Sequence, residues 1–319
     1  MTKGRLTACA LALGLLLAGC GVEPSSPASH AHGWHKTAAS GPGACLRAGA
    51  MASSSATGAS QTLRVHWIVS GPSLVCTVQV ERAERGQWTL LRTVRTKQPV
   101  EFARLALWGR LDGWLMVTTG PGYPAASSVY RTTDGGSRWT EVLTTAAWRE
   151  GTWAKNGSFG LEMSFASAND GWILASGLPG AGSAPKELLA TRDGGRTWNV
   201  AADSVALGGA IGSDQATLLD FTTPRTGWIA ASTDAASSVP EALLYATKDG
   251  GKAWTPAALP KAPLTAGLLT AFRAVQLRFA TPSHGLLVYR FVSEGGSAAT
   301  FCYRTRDGGS AWTVAACPR

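Results

Sequence analysis

An eight-residue phrase is written four times in this chain, at residues 132–139 (TTDGGSRW), 191–198 (TRDGGRTW), 247–254 (TKDGGKAW) and 305–312 (TRDGGSAW). All four copies fit Thr-x-Asp-x-Gly-x-x-Trp, and their aspartates Asp134, Asp193, Asp249 and Asp307 stand 59, 56 and 58 residues apart. So long a phrase at so steady a period predicts a repeat architecture in which each period is one supersecondary unit. Apolar or aromatic residues precede each copy (Val129-Tyr130, Leu188-Leu189, Leu244-Tyr245, Phe301 and Tyr303). The run reads as strand, tight turn, strand, with Asp-Gly-Gly closing the hairpin. The aspartate accepts from turn N–H groups, a glycine supplies positive φ, and the Trp leaves on the second strand to fill the gap to a neighbouring element.

A second landmark lies 21 or 22 residues before each aspartate: Gly113-Trp114, Gly171-Trp172, Gly227-Trp228 and Gly285-Leu286. Six residues earlier stands a bulky apolar residue, Leu107, Phe165, Phe221 or Phe279. Each unit therefore reads as four short strands, in the third complete unit at 218–222, 227–232, 242–246 and 253–257. A weaker unit precedes them: His66-Trp67-Ile68-Val69-Ser70 matches the Gly-Trp strand, and RAERGQW at 82–88 is a decayed hairpin phrase. The prediction is an all-β chain, a β-propeller of four-stranded antiparallel blades. Five units are clear over residues 62–319; six or seven stay open, since 142–160 has room for an irregular extra strand pair.

The repeated phrase resembles the Asp box, or BNR repeat, of sialidase-type propellers, four times well and a fifth time poorly. The alternation of Gly-Trp and Asp box is also similar to propellers of the photosystem II assembly and stability factor class, which are exported and help to assemble a membrane complex. Features present in every unit are what every unit needs to fold. Asp134, Trp139, Asp193, Trp198, Asp249, Trp254, Asp307 and Trp312 are accordingly expected to be structural. Recognition is expected on the joins of the opposite face, which are long and irregular. Among these, Trp148, Arg149, Glu150, Trp153 and Lys155 form a loop with two indoles and three charges, the chemistry of an interface anchor. The innermost strands add Arg104, Glu162, Asp220 and Arg278 near the channel, placed either to pair with one another or to meet a ligand.

The N-terminus reads as a targeting segment. Lys3 and Arg5 precede the apolar run 6–17, and Leu17-Ala18-Gly19-Cys20 follows. This resembles a bacterial lipoprotein signal, which implies removal of residues 1–19, lipid on Cys20, and a domain anchored to the cell membrane on its extracytoplasmic side. Residues 20–61, rich in Ser, Ala, Gly and Pro, read as a tether, and His30, His32 and His35 within it as solvated linker rather than a metal site. Without Lys3 and Arg5 the chain keeps 27 basic residues against 20 acidic ones. It holds no run of five basic residues, which argues against nucleic acid. Of six cysteines, Cys45, Cys76, Cys302 and Cys317 remain for disulfides in an oxidising compartment. Cys302 with Cys317, flanking the last hairpin, and Cys45 with Cys76 are the favoured pairs; Cys45 with Cys317 is the alternative. No Cys-x-x-Cys spacing suggests zinc, and no cofactor motif occurs.

The sialidase resemblance implies an arginine triad, a Tyr–Glu pair and an early Phe/Tyr-Arg-Ile-Pro motif. The nearest tetrapeptide, Phe272-Arg273-Ala274-Val275, comes late. Glu150, Glu162, Glu187, Asp220 and Glu241 offer carboxylates, but spacing alone selects no pair. The expectation is therefore a non-catalytic scaffold for a protein or glycan partner, with a sialidase-like glycoside hydrolase as the alternative.

Overall fold

The computed structural model describes residues 51–57, 62–70, 75–85, 87–96, 100–119, 126–144, 160–176, 186–203, 207, 215–232, 244–261, 269–293 and 296–317. They form five four-stranded antiparallel sheets, each built from four strands consecutive in the chain. Blade one comprises β1 Met51–Thr57, β2 Thr62–Ser70, β3 Val75–Glu84 and β4 Gln87–Thr96. Blade two comprises β5 Val100–Trp108, β6 Asp112–Thr119, β7 Ala126–Thr132 and β8 Thr140–Thr144. Blade three comprises β9 Gly160–Phe165, β10 Gly171–Ser176, β11 Lys186–Thr191 and β12 Asn199–Ala202. Blade four comprises β13 Gln215–Phe221, β14 Gly227–Ser232, β15 Leu244–Thr247 and β16 Thr255–Ala257. Blade five comprises β17 Leu269–Phe279, β18 Gly285–Ser293, β19 Ala298–Thr305 and β20 Thr313–Ala315. The first strands of successive blades are neighbours: β1 beside β5, then β9, β13 and β17. The architecture is a multi-blade β-propeller with the first strand of each blade innermost.

The first described strand begins at Met51, eleven residues before the boundary expected for the propeller. β1 (MASSSAT) is small and polar, with the composition of a tether, yet it pairs with β2 from Met51↔Ile68 to Thr57↔Thr62. Its strand character comes from the β2 ladder rather than from its own side chains. The decayed phrase of blade one closes as a short hairpin, Glu84↔Gln87, with Arg85 at φ 49°.

The core consists of layers between blades. Trp114 and Met116 of blade two pack with Met163 and Phe165 of blade three. Trp172 and Leu174 pack with Leu219 and Phe221 of blade four, and Trp228 and Ala230 with Phe272 and Tyr289 of blade five. The second strands are therefore buried on both faces, which is why GWILAS and GWIAAS are apolar up to their final serine.

The Gly-Trp landmark and the bulky residue before it are the two halves of this joint. The Trp114 ring stacks on Phe165 of the next blade with centroids 3.5 Å apart, and Trp172 on Phe221 at 3.6 Å. Phe165 and Phe221 in turn meet the Asp-box rings Trp198 and Trp254 edge-on. A Cβ on Gly171 would lie 2.1 Å from the Phe165 ring, so only glycine lets that ring lie flat over the strand.

Candidate functional site

The Asp boxes come first, because their geometry decides whether they are available to a ligand. In each box the Thr hydroxyl donates to the Asp Oδ1 at 2.8–2.9 Å. The same hydroxyl accepts from the second glycine's N–H at 2.8–3.0 Å. The Asp Oδ1 accepts from the N–H four residues on, in Arg138, Thr197, Ala253 and Ala311. The first glycine's N–H reaches back to the turn between strands one and two, at the carbonyls of Leu111, Asn169, Arg225 and Ser283. Boxes and first turns thus share one rim, and the box carboxylates are spent on backbone donors. Burial pushes the Asp193 carboxyl up, but bonds from Thr197 and Thr191 outweigh it and hold it down at about 2. Backbone donation from Ala311 and the Thr305 hydroxyl likewise lower Asp307.

The box tryptophans serve the same closure. Trp139, Trp198 and Trp254 donate to the carbonyls of Gly136, Gly195 and Gly251 at 2.8–2.9 Å. Trp312 Nε1 finds no acceptor among the described residues.

The opposite face carries the joins from strand two to three and from blade to blade. Trp148, Arg149, Glu150, Trp153 and Lys155 lie outside the described residues, as do Glu241, Cys20 and Cys45 and the side chain of Cys76. Cys302 and Cys317 form a disulfide, as favoured from their position around the last hairpin.

The inner strands are described, and they gather charge. Arg104 on β5 and Glu162 on β9 form an ion pair across blades two and three, their side chains 14% and 11% exposed. Burial lowers the Arg104 guanidinium to about 9, which leaves it a cation at neutral pH. On β13, burial raises the Asp220 carboxyl to about 7, against the lowering effects of the Phe279 N–H and the Arg278 charge. The Phe279 N–H donates to Asp220 Oδ2 at 2.7 Å. Ser164 does the same one blade earlier, accepting from the Phe221 N–H at 2.8 Å. Sequence reasoning missed these serine and aspartate latches because the position before the bulky residue varies: Ala106, Ser164, Asp220, Arg278.

Register decides which carboxylates act together. Glu162 lies opposite Leu174 and Glu187 opposite Ala175, so the two emerge on opposite faces of blade three. Asp220 lies opposite Trp228, and Ser164, two residues from Glu162, opposite Trp172. Glu162 and Asp220 therefore occupy equivalent faces of successive blades, Glu162 turned toward blade four and Asp220 toward blade five. With Ser164 level with Phe221, they differ by one or two residues along adjacent strands, an axial offset of roughly 3–7 Å.

No protein-family model matches the chain, and no curated protein matches it. Among solved structures it is similar to the polysaccharide lyase Uly1, with a TM-score of 0.51 and 10% identity over 81% of this chain and 58% of that one. It also matches the Hadza microbial sialidase Hz136 (TM-score 0.45, 15% identity, 79% of this chain and 56% of that one). A third match is the GH93 α-L-arabinofuranosidase of Fusarium graminearum (0.46, 13%, 77% and 72%). The chain spans about half the length of the first of these matches, 43% of the GH74 enzyme of Niastella koreensis and 58% of Uly1. At these identities the likeness is one of fold, and that fold is the propeller described above. The expectation of a non-enzyme is corrected here. Uly1, the match with a TM-score above 0.5, is a polysaccharide lyase, so the missing sialidase motifs do not exclude catalysis on this fold.

Proposed function

We propose that this is a carbohydrate-active propeller that cleaves glycosidic linkages at its inner strands. The observation that carries the reading is the pair Glu162 and Asp220. They sit on adjacent innermost strands, each on the face turned toward the following blade, Glu162 paired with Arg104 and Asp220 buried with its carboxyl raised. Glycoside hydrolysis needs one carboxylic acid to protonate the leaving oxygen and one carboxylate as base or nucleophile, roughly 5–10 Å apart. Asp220, raised to about 7, is about half protonated at neutral pH, and Glu162 lies in an ion pair with Arg104. Asp220 is the general acid in this reading and Glu162 the base or nucleophile. The similar structures include a sialidase, an arabinanase, a xyloglucanase and a polysaccharide lyase, and the glycans such enzymes act on are the first substrates to try.

The test is turnover of sialosides, arabinan, xyloglucan and uronate polymers by the full chain, with Glu162→Gln and Asp220→Asn beside it. Loss of about 100-fold or more in each variant is expected for a general acid–base pair. Turnover that survives both substitutions, or no turnover on any of these polymers, overturns the assignment.

The N-terminal segment supports a further element of the proposal: lipid on Cys20 tethers the Asp-box propeller to the extracytoplasmic face of the cell membrane. Cys20→Ala should move the protein from the membrane fraction to the soluble one; an unchanged distribution removes the anchor from the account.

A further inference from the structure

The junctions between blades are copies of one another, and one copy is left open. At the second junction Arg131 is held by Asp112 at 3.1 Å and by the carbonyls of Ala168 and Asp193, closing over Gly194. Trp114 Nε1 donates to the Gly194 carbonyl at 3.0 Å. At the third junction Arg192 pairs with Asp170 at 2.9 Å and lies against Gly250, whose carbonyl accepts from Trp172 Nε1 at 2.9 Å. At the fourth, the counterpart of Arg192 is Lys248 and the counterpart of Asp170 is Thr226. The acid is gone, and Lys248 has no ion-pair partner among the described residues. Trp228 Nε1 finds no acceptor among the described residues, so the indole bond to the Gly250 carbonyl has no counterpart at Gly308, and the Trp228–Phe279 stack opens to 5.6 Å. A groove of about 630 Å³ occupies the place, lined by Arg225 and Lys248, by Pro224 and Pro282, and by Gly308. No carboxylate lines it.

We propose that this groove, on the Asp-box rim between blades four and five, binds an acidic saccharide. Arg225 and Lys248, neither with an ion-pair partner among the described residues, call for a carboxylate or sulfate. The Gly308 carbonyl, which lacks the indole donor that Gly194 and Gly250 have, suits a hydroxyl donor, which a sugar carries and a bare anion lacks. The prolines offer apolar surface to the C–H face of a ring. The site lies on the rim away from the loop joins and stands independently of whether Glu162 and Asp220 cleave anything.

Calorimetric titration of the full chain with a galacturonate tetrasaccharide tests it. Cellotetraose serves as the neutral control, with sodium sulfate and phosphatidylglycerol vesicles as separate arms. The acidic saccharide should bind saturably and more weakly at high salt. Lys248→Ala should weaken it by about tenfold. Thr226→Asp, which gives Lys248 the partner that Asp170 gives Arg192, should weaken it at least as much while leaving the fold intact. Four outcomes overturn the proposal: no binding of the acidic saccharide, equal affinity for cellotetraose, tighter binding of sulfate or vesicles, or an affinity unchanged by Thr226→Asp.

Discussion

Asp220 is a carboxyl whose burial works against its own ionisation, and the consequence for stability can be given a sign and a size. Its folded-state value of about 7 stands some three units above the ordinary 3.8. A carboxyl with a raised folded value binds its proton more tightly in the folded state. Its contribution is therefore most favourable below about pH 4, declines as the pH rises through the window from about 4 to 7, and is flat above it. At about 1.4 kcal/mol per unit the ceiling of that decline is about 4 kcal/mol. Asp220→Asn keeps an oxygen for the Phe279 N–H and cannot ionise, though it gives up the attraction to Arg278. At pH 8 the variant should be more stable than the parent by about 1–3 kcal/mol, and near pH 4 the two should agree within about 1 kcal/mol. Urea unfolding of both proteins at a series of pH values reads the difference directly, since every other titrating group cancels. Parallel pH curves, or a variant less stable at pH 8, would show that Asp220 is ionised at no cost and refute the reasoning. The same substitution is expected to abolish cleavage, so stability and turnover should move in opposite directions.

The remaining expectations concern the copied parts. Asp193→Ala removes the acceptor for Thr197 N–H, Thr197 Oγ1 and Thr191 Oγ1 and should cost about 1–3 kcal/mol in chemical denaturation. Because Asp193 is held down at about 2, its contribution is present above about pH 4 and is lost as the pH falls toward 2; the Ala variant should lack that acid-induced loss. Gly171→Ala drives a Cβ to 2.1 Å from the Phe165 ring and should lower stability by about 1–3 kcal/mol, read as a drop in Tm. Reducing Cys302–Cys317, which are 15 residues apart, should cost about 3 kcal/mol, read as a shift in denaturation midpoint with and without reductant.

What could be read from the chain follows from what is repeated in it. The boxes, the Gly-Trp strands and the bulky residue before them announce a blade because each must meet its own copy in the next blade. Trp172 on Phe221 and Phe221 against Trp254 are that meeting. β1 was illegible because MASSSAT borrows its conformation from β2. The inner-strand charges were legible as residues but not as partners. That Arg104 meets Glu162, and that Glu162 and Glu187 part company, depends on register across β10. The groove at the fourth junction rests on a single exchange, Asp170 to Thr226, in a turn where every blade differs. The ion pairs Arg131–Asp112 and Arg192–Asp170 at the preceding junctions give that exchange its meaning.

The central claim is that the copied boxes hold the blades while the uncopied residues do the chemistry. Native-state hydrogen exchange at Gly136, Gly195, Gly251 and Gly309 tests it most directly, since each N–H donates to a buried Thr hydroxyl at 2.8–3.0 Å. The account predicts that all four exchange slowly, close to the rate set by global unfolding. Rapid exchange at these four amides while the strands beside them stay protected would contradict it.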